Sequence, residues 1–269
     1  VNGVDSPRLW DNATWTTITG ASTPAITGVT TTLLAHVTLF KNRLFFVESS
    51  SMRLWYLPVN SVGGAAAQMD MGSIFRLGGY VMAAYTWTLD AGSGSDDHLV
   101  IISSNGEIAV YRGSDPSSST DWSVIGVFTM GRPLGRRCAV KFGGDLAVNT
   151  YEGVYPLGKG LLSSSVDRRV ALTDKIQNSV SQAASTLGAN FGWQVCLNAD
   201  DNMLILNVPY GGGANYQYAQ NTITGAWTVF SGWDAQVWLK ASTGLYYGGS
   251  TFVNKAWTGN ADIAVPITA

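Results

Sequence analysis

Apolar residues in this chain come in short runs, separated by clusters of Ser, Asn, Asp and Gly, and most runs come in pairs. The stretch Asp97-His98-Leu99-Val100-Ile101-Ile102-Ser103-Ser104-Asn105-Gly106-Glu107-Ile108-Ala109-Val110-Tyr111 shows the pattern best. It predicts strand, tight turn, strand. Asn-Gly adopts the positive φ of a hairpin turn at low cost. A lone hairpin is not stable in water, so this one needs neighbours. Four more places supply them: Arg43–Val47 with Met52–Tyr56, Asp145–Val148 with Val154–Leu157, Gln194–Leu197 with Met203–Leu206, and Leu245–Tyr247 with Thr251–Val253. The turns centre near positions 50, 105, 152, 201 and 250, at spacings of 55, 47, 49 and 49. A strand-only period of about 40–50 residues predicts the blades of a β-propeller. The count is five blades, with six as the alternative if residues 65–95 hold a weakly marked extra one.

A small polar turn followed by Trp recurs at Asn12–Trp15, Ser119–Trp122, Thr224–Trp227 and Asn254–Trp257, and is read as the opening of an outer strand. Arg8-Leu9-Trp10 and Trp15–Ile18 read as an outer strand pair with no inner pair before it, while 243–257 has an inner pair and a weak outer one. Pairing of the N- and C-terminal strands would then complete one blade and close a single domain over 1–269. One segment departs from the two-residue period. Residues 173–187 predict an inserted helix, with Asp174 and Gln177 as a capping box, Ile176, Val180, Ala183, Ala184 and Leu187 on one face, and Gly188 as its stop. That stripe is expected to dock on the propeller's own rim, with a neighbouring subunit as the alternative.

Composition narrows the functional classes. Hydrophobic residues make up 46% of 269, which excludes global disorder. Charged residues make up only 13%, about half the usual share, so much of the surface is expected to face other protein or to carry small polar residues. A net charge of −2 leaves no overall basic footprint for nucleic acid. No apolar run reaches the about 18 residues of a spanning helix. The first residues read as a loop rather than a signal peptide, and the chain reads as part of a longer protein. Cys138 and Cys196 each lie in an apolar strand and are read as buried free thiols.

The residues offer little chemistry. His36 and His98 are far apart in sequence, with no second ligand at metal spacing. Asp96-Asp97 and Asp200-Asp201 fall in turns and are read as solvated acids, with a calcium loop as the functional alternative. No Gly-x-Ser-x-Gly elbow or phosphate loop is present, and Asn12-Ala13-Thr14 is a formal glycosylation sequon in a turn. Thr224-Gly225-Ala226-Trp227 lacks the Asp and the Gly-to-Trp spacing of the sialidase Asp box. The expectation is therefore no catalytic, cofactor or metal site. One cluster stands out: Arg132, Arg136, Arg137 and Lys141, with Arg168 and Arg169 further on. It is read first as contact with an adjoining subunit and second as contact with a DNA backbone, where arginines hold phosphate without reading sequence.

The runs Phe40–Val47 and Leu54–Val59, together with Gly135–Cys138, Leu172–Gln177 and Asn221–Trp227, resemble structural proteins of tailed-phage and prophage gene clusters. The likeness runs along most of the chain and points to propeller-bearing tail nozzle, or tail tube hub, proteins of short-tailed phages. It implies a virion protein of the tail or head-to-tail assembly, made in the host cytoplasm. Copies would stand in a ring with other tail proteins around the DNA-ejection conduit. It transfers no functional residue. The alternative is a glycan-binding, receptor-recognition propeller, since ten Trp and eleven Tyr offer rings for stacking on sugars.

Overall fold

The alternating pattern is realised as antiparallel sheets. The computed structural model describes residues 1–90, 95–162, 170–211, 214–258, 261–262 and 265–266. The fold class is the expected one, an all-β, five-bladed β-propeller. The chain divides into two compact units, Val1–Pro133 with two blades and Leu134–Ala269 with three.

Unit 1 opens with a hairpin of β1 (Arg8–Trp10) and β2 (Trp15–Thr17), followed by β3 (Ile26–Thr27). Blade 1 runs in the order β4 (Leu34–Phe40), β5 (Arg43–Glu48), β6 (Arg53–Tyr56), with a small strand β7 (Gly64–Ala65) leaving to pair in parallel with β3, and β8 (Ala67–Asp70) as the fourth strand. Blade 2 is β9 (Val81–Asp90), β10 (Ser95–Ser103), β11 (Glu107–Arg112) and β12 (Ser123–Thr129). Between the two blades Phe40, Phe45, Leu54, Met71, Leu99 and Ile101 form one core. Trp122 stacks on both Phe45 and Tyr111 there. The opposite face of blade 1 is covered by Leu9, Ile18 and Ile26 from the N-terminal segment. Buried Glu107 accepts the backbone N–H groups of Arg76 and Leu77 at 2.9 and 2.7 Å and so fixes the loop between the blades.

Unit 2 begins with blade 3, made of β13 (Ala139–Phe142), β14 (Asp145–Thr150) and β15 (Gly153–Pro156), and a short helix α1 (Leu157–Leu162). A 3-10 turn at Asp174–Ile176 leads into α2 (Gln177–Leu187). Blade 4 is β16 (Gln194–Asn198), β17 (Met203–Gly211), β18 (Ala214–Asn221) and β19 (Trp227–Ser231), and blade 5 is β20 (Val237–Ala241), β21 (Gly244–Gly248) and β22 (Val253–Lys255). A last pair, β23 (Ala261–Asp262) and β24 (Val265–Pro266), stands apart. Helix α2 docks on its own unit: Val180, Ala183 and Ala184 join Leu134, Ala147, Leu204 and Leu206 in one core.

Several details differ from the sequence reading. Residues 65–95 hold β8 and β9, which belong to blades 1 and 2, so the alternative of six blades is excluded. The paired runs are not inner pairs, because β4, β9, β13 and β20 lie inside them. The pair around 201 joins the first and second strands of its blade, whereas the other four join the second and third. Gln177 makes no capping box. It accepts from Thr173 Oγ1 and donates to Ser181 Oγ and to the carbonyl of Glu152, tying the helix to the β14–β15 turn. Gly188 has right-handed φ. A Cβ there would lie 2.5 Å from both the Ala184 carbonyl and the Tyr151 hydroxyl, so close packing selects the glycine. Trp257 follows β22 with φ of 52° and opens no strand. Among the described residues β1 is laddered to β2 and β22 to β21, and the expected pairing of the chain ends is not among the ladders.

Candidate interaction surface

The described basic residues singled out by sequence differ in their settings. Arg132 is exposed just after β12 in unit 1. In unit 2, Lys141 is exposed on the inner strand β13, and Arg136 and Arg137 are half-buried just before it. Arg168 and Arg169 lie outside the described residues. Arg137 is committed to the protein itself. Its guanidinium donates to the Gln236 carbonyl at 3.0 Å and lies 5.1 Å over the ring of Phe191. Its carbonyl accepts the Val195 N–H at 3.3 Å. Arg137, two residues before β13, thereby ties its segment to β16 and to the approach to β20, and blades 3, 4 and 5 meet around it.

Around that arginine the loop ends carry aromatic rings. Phe191 is 74% exposed and Tyr210 is 64% exposed. Their loops are held firmly: Asn190 Nδ2 donates to the Pro209 carbonyl at 3.1 Å, and Asn207 Nδ2 to the Gly192 carbonyl at 2.8 Å. In unit 1, Trp10 (46% exposed) and Trp15 (66%) face each other across the β1–β2 ladder with ring centroids 5.3 Å apart. The turn between them is fixed by Asp11, whose carboxylate accepts the Ala13 and Thr14 N–H groups at 2.9 and 2.7 Å. Those bonds, that from Thr14 foremost, hold its pKa below the ordinary value. Asn12 sits in the same turn, where the sequon was placed, with a left-handed φ of 74°.

The blade edges form a second kind of surface. β12 is the outermost strand of blade 2 and has no charged residue; Val124, Ile125 and Val127 are 43, 51 and 41% exposed. Val229 on β19 and Val253 on β22 extend the same character to blades 4 and 5. Alternation alone does not reveal this, because an outward Val looks the same in sequence as an inward one.

The acids and thiols behave as ordinary structural groups. Asp97 accepts from Thr88 Oγ1 at 2.7 Å and pairs with Lys41 at 3.5 Å; Asp200 pairs with Lys240 at 2.7 Å and Asp201 accepts from Asn198 at 2.6 Å. Among the described residues no group of three His, Cys, Asp or Glu could hold a metal ion. Cys138 and Cys196 are buried and unbridged, as read from the sequence, and burial pushes the Cys196 thiol up to about 11 although Lys240 pulls it down. No described helix is long and apolar enough to cross a membrane. The chain matches no known family model and no curated protein.

Proposed function

We propose that this chain is a structural module of a tailed-phage virion, working in the tail nozzle, tail hub or head-to-tail assembly and forming part of the DNA-ejection conduit. Its work is mechanical. Copies of the chain stand in a ring beside other tail proteins, after assembly in the host cytoplasm. The observation that carries this reading is the row of exposed apolar side chains on the uncharged edge strand β12, since a free strand edge without charge favours pairing with another chain. The 13% charged content and the motif likeness to phage structural proteins support the same reading. Exposed Arg132 and Lys141 are its candidates for contact with DNA or a neighbouring subunit.

The test is sedimentation velocity with negative-stain microscopy of the full-length protein over rising concentration, together with antibody labelling of phage particles that carry it. Closed rings and label on the tail are expected. A monomer throughout, with unlabelled particles, would sink the proposal.

A second reading, a glycan-binding receptor-recognition propeller, is favoured by the exposed Trp10–Trp15 pair, because indole faces stack on sugar rings. Glycan-array binding lost in Trp15→Ala would move the assignment to that reading. An array without hits would remove it.

A further inference from the structure

We infer that the side chain of Asn149 holds an internal water molecule at the joint between blades 3 and 4. Asn149 is 0% exposed, and neither its Oδ1 nor its Nδ2 has a hydrogen-bond partner among the described residues. Its backbone is fully used: its N–H donates to the Cys138 carbonyl at 2.6 Å and its carbonyl accepts from Leu134 at 3.1 Å. Ala147, two residues earlier on β14, packs with Val195, Leu204 and Leu206 of blade 4. The two-residue period of a strand puts the Asn149 amide on that same face.

Blade 4 shows what such an amide requires. Asn207 occupies the matching place on its own second strand, two residues after Ile205, which packs toward blade 5 beside Trp238 and Leu245. All four of its hydrogen-bonding positions are filled. Nδ2 donates to the carbonyls of Gly192 and Ala235 at 2.8 and 2.9 Å, and Oδ1 accepts from Gln217 Nε2 and Trp238 Nε1, both at 2.9 Å. Gln217 stands directly across the ladder from Asn207. Across from Asn149 stands Val154, which has nothing to donate. Val154 in place of a glutamine removes one of the four bonds that Asn207 has, and the other three have no protein counterpart around Asn149 among the described residues.

A buried amide left bare is strongly disfavoured, and nature fills such positions with ordered solvent that bonds to two or more polar atoms. Water fits the chemistry here, since one molecule can donate to Oδ1 and accept from Nδ2. The blade 4–5 joint is bridged by side chains and the blade 3–4 joint by solvent.

The test is a high-resolution crystal structure of the wild-type protein, combined with melting of Asn149→Leu, a near-isosteric apolar replacement. An isolated solvent peak within hydrogen-bonding distance of both amide atoms is expected. The Leu variant should lack that peak and melt lower by about 2–4 °C. Empty density beside Asn149 in the wild type overturns the inference. So does a Leu variant that melts higher, because removing an unsolvated amide stabilises the core.

Discussion

At the scale of single residues, polar groups inside the blades decide more than the charges outside them. Asn207 satisfies four partners, so Asn207→Leu strands the Trp238 indole N–H and leaves Gln217 Nε2 with the Trp233 carbonyl alone. We expect a loss of about 2–4 kcal/mol, read from chemical denaturation. Arg137 and Lys141 should separate in the same way. Arg137→Ala removes a charge-assisted bond to Gln236 and the packing over Phe191, costing about 1–2 kcal/mol, while Lys141→Ala on an exposed position should stay within about 0.5 kcal/mol. If Lys141 touches phosphate, its removal should instead lower the salt slope of DNA binding by about one. Both thiols should resist a thiol reagent in the native protein at mildly alkaline pH and react only on unfolding, since burial keeps Cys196 protonated. The buried thiols were legible from their apolar strands. The role of Arg137 was not, because sequence shows an arginine's charge and hides the carbonyl it will meet ninety-nine positions away.

At the scale of elements, the chain repeats more than its hairpins. In three blades the second strand carries an apolar residue packed toward the next blade, Val47, Ala147 and Ile205, followed two positions on by a small polar residue, Ser49, Asn149 and Asn207. Hairpins were readable because tight turns leave a signature such as Asn105-Gly106. The inner strands β13 and β20 were not, because loops with no fixed turn chemistry lead into them. The pair at 201 misled for a related reason: the first and second strands of blade 4 are joined as tightly, with Asn202 in the left-handed conformation, as the second and third are elsewhere. The loop before β12 also shows how an acid can organise an element. Asp121 accepts the N–H groups of Ser114 and Asp115 at 2.6 and 2.8 Å and the Ser114 hydroxyl at 2.9 Å, which holds its pKa below the ordinary 3.8, the Ser114 backbone bond foremost. With the folded value depressed, the stabilisation is complete above the unfolded value and is lost as pH falls through the folded one. Asp121→Asn should therefore melt below the wild type at neutral pH, and the gap should close in acid below about 3.8. A gap that persists unchanged at low pH would mean the loop is held by something other than this carboxylate.

At the scale of the whole molecule, the open question is what the exposed blade edges are for, and β12 gives the most direct answer. Its outward residues are apolar, yet its exposure means that the fold does not need them there. Natural edge strands that must stay alone carry lysine or proline, and β12 carries neither. Changing Ile125→Lys together with Val127→Lys supplies the missing charges at positions that are half exposed. Folding stability should move by less than about 0.5 kcal/mol per site, because little apolar area leaves the core. Association is the property that should change: full-length wild type forms rings, and the doubly charged variant sediments as a monomer over the same concentrations. If the variant still assembles, β12 is not the interface, and the β22 edge with Val253 becomes the next to be charged. If wild type and variant are both monomers, the apolar edge serves no assembly of this chain and the virion reading loses the observation it was built on. Sequence made the blades legible because blade formation depends on local alternation and turns. The interface was not legible, since whether a valine on an outer strand is buried by a partner depends on a surface that no single chain encodes locally.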